Sequence, residues 1–324
     1  MDLISALRRA AFTRPNLLLV VAPGATGPRL AMERFTREHG WSLADTAADA
    51  DALVEIGELD EPLTAVAEVL WRQLPRPAVR LSLGDEVGVG EALARLPERL
   101  RSWRPTDEPS EEWPEPPMAD RAPDRDGLRL DVLRVPLGPV LPYWPAGLRL
   151  VVDMQGDVVQ FAEVELLGVT GRTRPYWTGE TRSAARRLDA AARLLGVAGW
   201  TAMSTRCQIL RDRLLAGGTG TFVATEVDRL ARRVRRSPLL GAMLRGLAPL
   251  PGLGDAHERL SNWLAEVARA STADEAGPPV AELLNVLPDV VFGAELSVVR
   301  LIVASLDLDI AEITEPSHGG ISHG

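Results

Sequence analysis

Apolar positions follow two rhythms along this chain, and the change between them divides it. Short continuous apolar runs at 16–22, 52–56 and 78–83 read as buried strands. Between and beside them, segments 28–39, 61–73 and 88–100 place apolar residues at helical spacing, as does the short stretch 3–12. Strands alternating with helices predict a parallel sheet covered by helices. Further on, two β-rich runs at 148–153 and 158–164 flank Gln155-Gly156-Asp157 and predict a β-hairpin. From Thr181 the helical period returns, with Leu188, Ala191, Leu194, Leu195 and Val197 on one stripe and arginines opposite. More helices are expected at 201–215, 223–236, 257–271, 278–287 and from 296, and a loop or broken helix at 238–254. The predicted fold class is an α/β N-terminal domain, with a parallel sheet and flanking helices, followed by an α+β domain. The latter joins a β-hairpin or small sheet to a helical bundle.

Between these halves, residues 101–126 carry Pro105, Pro109, Pro114, Pro116, Pro117 and Pro123 among mostly charged or polar neighbours. Such a segment cannot bury enough apolar surface to fold, so it reads as a semi-extended linker between domains 1–100 and 127–324. Its Trp103 and Trp113 would be loose anchors on a neighbouring surface or contacts with a partner. Composition narrows the function classes. A net charge of -9 argues against nucleic-acid binding. No stretch reaches the length of a membrane span and the N-terminus lacks a signal pattern, so a cytoplasmic location is expected, peripheral on the inner face of the membrane at most. Arginine takes every place that lysine could share, a composition typical of GC-rich bacterial genomes.

Candidate chemistry is sparse. The single cysteine, Cys207, excludes a disulfide framework and a Cys-ligated cluster within one chain, and its helical setting reads as a small buried hydrophobe. His39, His257, His318 and His323 have no metal-site spacing, and no nucleophile elbow appears. No catalytic residue, metal site or cofactor is expected. Gly24-Ala25-Thr26-Gly27 follows a strand and opens a helix, so Gly24 and Gly27 could cradle an anion or nucleotide. The dinucleotide fingerprint needs a further glycine and a downstream acid, and an ordinary βα turn is the better account of the loop. Asp153, Asp157, Glu163 and Glu165 alternate along the hairpin and should share its solvent face. Arg229, Arg232, Arg233, Arg235 and Arg236 form a basic run that is either a solvated helix face or a docking face for an acidic partner.

Two stretches resemble known families. The segment 134–165, RVPLGPVLPYWPAGLRLVVDMQGDVVQFAEVE, resembles the large, quinone-site subunit of respiratory complex I and the large subunits of membrane-bound nickel-iron hydrogenases. Gly138, Pro139, Pro142, Leu148, Arg149, Leu150, Gly156, Val158 and Val159 fall into that register, whereas the family's two histidines are replaced by Leu141 and Pro145. The segment 50–85 is similar to the small, cluster-bearing subunit of the same complexes, with Pro75, Pro77 and Gly84 in place. The family's cluster cysteines would correspond to Glu86 and to positions near Thr26 and Arg29. A Cys-x-x-Cys of the hydrogenase-like large subunits has no counterpart near Arg172 and Arg174. The resemblance implies a fusion of two degenerate subunits that has lost its redox chemistry. It would serve as an accessory, structural or assembly subunit of a complex I-like or hydrogenase-like redox complex. Tyr143 and Trp144 on the tip, with Arg232, Arg233 and Arg236, would then contact the partner subunits. The competing expectation is an independent α/β enzyme or ligand-binding protein that uses the Gly24–Gly27 loop.

Overall fold

The computed structural model describes residues 12–104, 120–123, 129–169, 176–218, 220–269 and 277–313. Four short strands form the first sheet: β1 (Asn16–Val21), β2 (Ser42–Leu43), β3 (Ala52–Ile56) and β4 (Val79–Leu83). They run parallel in the order β2-β1-β3-β4, with Leu18 opposite Leu53 and Val54 opposite Leu81. Every residue of β3 is buried, as a strand covered on both faces requires. Helices α1 (Thr26–His39), α2 (Glu61–Gln73), α3 (Val89–Ala94) and α4 (Leu96–Ser102) complete this part. Leu17, Val54 and Leu81 point to a core shared with Met32 of α1 and Leu93 of α3, whereas Leu18, Val20 and Leu53 meet Ala67 of α2. The helix expected at 88–100 is two helices, with Pro97 in the first turn of the second, where its missing N–H costs nothing.

The second sheet is antiparallel, in the order β5 (Asp120–Pro123), β6 (Arg129–Leu137), β7 (Leu148–Gln155) and β8 (Val158–Leu166). The expected hairpin is β7–β8, and its turn holds Gly156. Two strands of this sheet go beyond the sequence-based expectation, as does β2 in the first. β6 precedes the hairpin, and β5 lies inside the segment expected to be a linker. Local composition hides β5 because its order comes from the open edge of β6, and a proline is tolerated on such an edge. The linker's remaining stretches, 105–119 and 124–128, lie outside the described residues, as do Trp113 and the short helix expected at 3–12, save its last residue.

The helical part comprises α5 (Glu180–Val197), α6 (Thr201–Leu215), α7 (Gly220–Arg235), α8 (Pro238–Leu244), α9 (Ala256–Ala268), α10 (Val280–Val291) and α11 (Leu296–Ala304). Helices α5, α6, α7 and α9 share one core, built on Leu188, Leu210, Val227 and Leu260. A second core lies between the antiparallel sheet and α10 and α11, where Leu150, Val152 and Val159 meet Leu287 and Val299. Helix α9 starts in a reciprocal cap, in which Asp255 accepts the Glu258 N–H and Glu258 accepts that of Asp255. Within it, the buried Arg259 guanidinium donates to the carbonyls of Ser305, Ala248 and Gly254, tying the 248–254 loop to the end of α11.

The carboxyl ends of the parallel strands meet the base of the hairpin. Gly147 adopts φ +79° there, and a Cβ would fall 2.4 Å from the Leu167 carbonyl oxygen and 2.5 Å from Pro23 Cγ. Only glycine meets both demands. Beside it, Asp60 caps α2 by accepting the Leu63 N–H at 3.0 Å, and its other oxygen accepts the Gly168 N–H at 2.8 Å. Among the described residues no helix is long and apolar enough to cross a membrane.

Candidate functional site

Where α1 packs across the helical part, the residues face to face are charged. Arg29, Glu33 and Arg37 recur every four positions and so share one stripe of α1. Arg29 donates to Asp189 of α5 at 2.8 Å and to Glu33 at 2.6 Å. Arg211 of α6, fully buried, donates to Asp189 at 2.5 Å, to Glu33 at 2.8 Å and to Asp212 at 2.9 Å. Arg37 completes the array on Asp212. Farther along α5, Arg193 donates to Asp307 at 2.9 Å, and Arg186 joins Asp307 to Glu312. The array thus links the α/β part, two helices and the C-terminal segment.

Burial alone would push the Glu33 and Asp189 carboxyls up. Arg29 and Arg211 outweigh it for Glu33, as do Arg29, Arg193 and Arg211 for Asp189, so both stay below the usual carboxylate range. Glu33 and Asp189 are ionised and each accepts from two guanidinium groups, a structural arrangement rather than a proton-transfer one. Arg37 Nη1, Arg193 Nε and Arg211 Nη2 have no hydrogen-bond partner among the described residues. Neither Glu33, Asp189 nor Arg211 stands in a recognisable sequence motif. The available signals were the four-residue spacing on α1 and one acid, Asp189, in an otherwise Ala/Leu stripe.

Beside this array lies a cleft of about 360 Å³ between β1, β2, α1, the 139–146 loop, α5, α6 and residues 308–310. Tyr143 reaches into its wall at φ +63°, an uncommon conformation for an aromatic residue. Gly196 of α5 makes room for it, since a methyl there would fall 2.4 Å from the ring. Ser204 of α6 lies near the Tyr143 hydroxyl, and its own Oγ donates to the Ala192 carbonyl at 2.7 Å. Burial, with Glu33 and Asp45 nearby, raises the phenol above its ordinary value, against a smaller opposing effect of the nearby Ser204 hydroxyl.

The sequence-predicted positions distribute unevenly around this region. Gly24 and Thr26 line the cleft. Gly27 lies against Glu86, whose Cδ and Oε1 stand 3.0 Å from where a Cβ would be, so a carboxylate already faces the start of α1. Trp144, expected as a surface anchor, is 9% exposed and donates its Nε1–H to the Leu148 carbonyl at 2.8 Å. The 139–146 loop folds inward onto the chain's own core, which removes Trp144 from any external surface; Tyr143 is half-buried in the same way. Arg232, Arg233 and Arg236 are exposed on or just beyond α7, with Arg232 paired to Asp228. Asp153 and Glu163 share Arg134 on the outer face of the antiparallel sheet, and Glu165 pairs with Arg149, while Asp157 sits in the turn.

The positions equated with cluster ligands, Thr26, Arg29 and Glu86, offer no thiolate, and Cys207 is buried on α6 with its thiol pushed up to about 12 by burial. These residues do not fit an iron–sulfur cluster. Among the described residues no group of three or more His, Cys, Asp or Glu could hold a metal ion. His318, His323, Arg172 and Arg174 lie outside the described residues. No protein-family model matches the chain, and no curated protein matches it.

Proposed function

We propose that the chain is a non-catalytic subunit or assembly partner of a complex I-like or hydrogenase-like redox complex, built from degenerate small-subunit-like and large-subunit-like halves. The observation that carries this reading is the meeting of three loops distant in sequence. The β1–α1 loop at Pro23 with the start of α1 at Gly27, the segment after β4 with Glu86, and the base of the hairpin meet at the carboxyl ends of the parallel strands. A redox pair would hold its cluster and substrate at such an edge. Here oxygen and guanidinium groups stand where sulfur ligands would be needed, and Leu141 and Pro145 replace the hydrogen-bonding histidines. With Trp144 inside, the external contact falls to the arginine face of α7 at Arg232, Arg233 and Arg236, which suits an acidic partner.

Affinity purification of the tagged chain from the organism that encodes it tests the reading. Redox-complex subunits should co-purify, and a triple Arg→Glu variant at 232, 233 and 236 should lose them while keeping the wild-type melting profile. Recovery of the chain without such subunits would refute it. The competing anion or nucleotide reading of Gly24 and Gly27 is disfavoured by the Glu86 carboxylate at the start of α1. It predicts heat on titration with phosphate or ATP, where we expect none.

A further inference from the structure

The cleft between the two halves has a charge balance that the buried array fixes. Its lining includes Arg29, Arg37 and Arg193, each already held by Glu33, Asp189, Asp212 or Asp307. Its acids Glu33 and Asp189 are likewise taken up by Arg29 and Arg211. Two lining carboxylates remain outside this account. Asp45 follows β2 at the exposed mouth and has no cationic partner among the described residues. Asp309, from the opposite half of the chain, accepts the Ala311 N–H at 3.2 Å and likewise has no cationic partner among them. The lining thus holds four carboxylates, Glu33, Asp45, Asp189 and Asp309, against three guanidinium groups, and the two unpaired acids come from opposite sides.

The remaining walls are apolar and aromatic. Trp41, Tyr143 and Trp177 line the space together with Leu18, Leu43 and Leu141. Thr205 and Gln208 of α6 add side-chain oxygens that make no hydrogen bond to the described residues. Tyr143 keeps its left-handed conformation with its ring seated against Gly196, and backbone strain of that kind gathers at ligand sites. The volume falls within the range of small-molecule pockets.

We propose that this cleft binds an amphipathic organic cation, a protonated amine carried on a flat apolar body. The amine would be drawn to Asp45 and Asp309 and to the aromatic faces, which attract cations. The apolar body would lie against the leucine and tryptophan walls. Phosphates and carboxylates should bind more weakly, because the lining has one more carboxylate than guanidinium group. This binding is independent of whether the chain belongs to a redox complex.

Three indole probes of matched shape separate the charge term from the apolar one: tryptamine, indole-3-ethanol and indole-3-propionate. In calorimetric titrations of the full chain at neutral pH, tryptamine should bind about tenfold more tightly than indole-3-ethanol, the value of one partly desolvated charge contact. Indole-3-propionate should bind most weakly. Asp45→Asn and Asp309→Asn should each reduce this preference about threefold or more and leave indole-3-ethanol binding unchanged. The wild-type series needs no variant to be informative. Equal affinity for the three probes, a preference for the propionate, absence of tryptamine binding at millimolar concentration, or a full charge preference in both variants would each overturn the assignment.

Discussion

Asp189 shows what one side chain carries in this fold. It is 1% exposed and receives Arg29 and Arg211 directly, with Arg193 close by at 3.5 Å. Asp189→Asn keeps its volume but leaves Arg211, itself fully buried, short of a counter-charge. Breaking one side of a buried pair costs about 3–5 kcal/mol, whereas removing both sides often costs little. Urea denaturation should therefore show Asp189→Asn strongly destabilised and Asp189→Leu with Arg211→Met much closer to wild type. If both variants lose equally, the array is not coupled as described. Gly196 gives a second test at this scale. Gly196→Ala drives a methyl into the Tyr143 ring, so a loss of about 1–3 kcal/mol is expected, with recovery when Tyr143→Ala is added. Residue identity in the sequence announced Cys207 as a buried hydrophobe, since a lone thiol on an apolar helix has few other roles. It did not announce Asp189, because an acid in a helical stripe looks alike whether it faces water or guanidinium groups brought by two other helices.

At the scale of elements, periodicity was legible wherever an element's order is local. Strands β1, β3 and β4, the β7–β8 hairpin and helices α1, α2, α5 and α6 lie close to where their apolar spacing places them. The strand β5 was not legible, because its pairing with β6 is a property of the sheet edge and not of its own residues. Nor could spacing reveal that the 139–146 loop turns inward, which depends on room left by Gly196 and on the Leu148 carbonyl that accepts Trp144. Asp60 joins the two kinds of order, capping α2 locally while holding the Gly168 N–H from the other half. Asp60→Ala should cost about 1–2 kcal/mol for the cap, with a further ~1 kcal/mol for the lost bond. Asp60→Ser restores a cap without a second acceptor, so it should recover the first part and not the second. Equal stability of the Ser and Asp forms would show that the Gly168 contact contributes nothing.

For the molecule as a whole, the buried array sets how stability depends on pH. Glu33 and Asp189 have folded pKa values held below their unfolded ones. In the window between the two values the unfolded chain binds more protons, so stability rises with pH there. Their contribution is fully present above the unfolded carboxylate range, about pH 4, and is lost as pH falls through the folded values. Cys207 acts at the other end, because burial holds its thiol at about 12. The unfolded thiol ionises from about pH 8.5 while the folded one stays neutral, so stability declines as pH rises beyond that point. Denaturation midpoints measured across pH should therefore form a plateau between roughly pH 5 and 8.5, falling away on both sides. The two limbs have separate owners. Asp189→Asn should lower the plateau and flatten the acid limb. Cys207→Ala should leave the acid limb alone and remove the part of the alkaline fall that begins at about pH 8.5, leaving the part that the raised Tyr143 phenol adds above about pH 10. Salt distinguishes the buried array from surface pairs such as Arg232 with Asp228, because at about 1 M ionic strength exposed charges are screened within about 3 Å. The acid limb should persist at that salt concentration. If it disappears, the carboxylates that govern acid unfolding lie on the surface, and the two halves are held together by something other than the array between α1, α5 and α6.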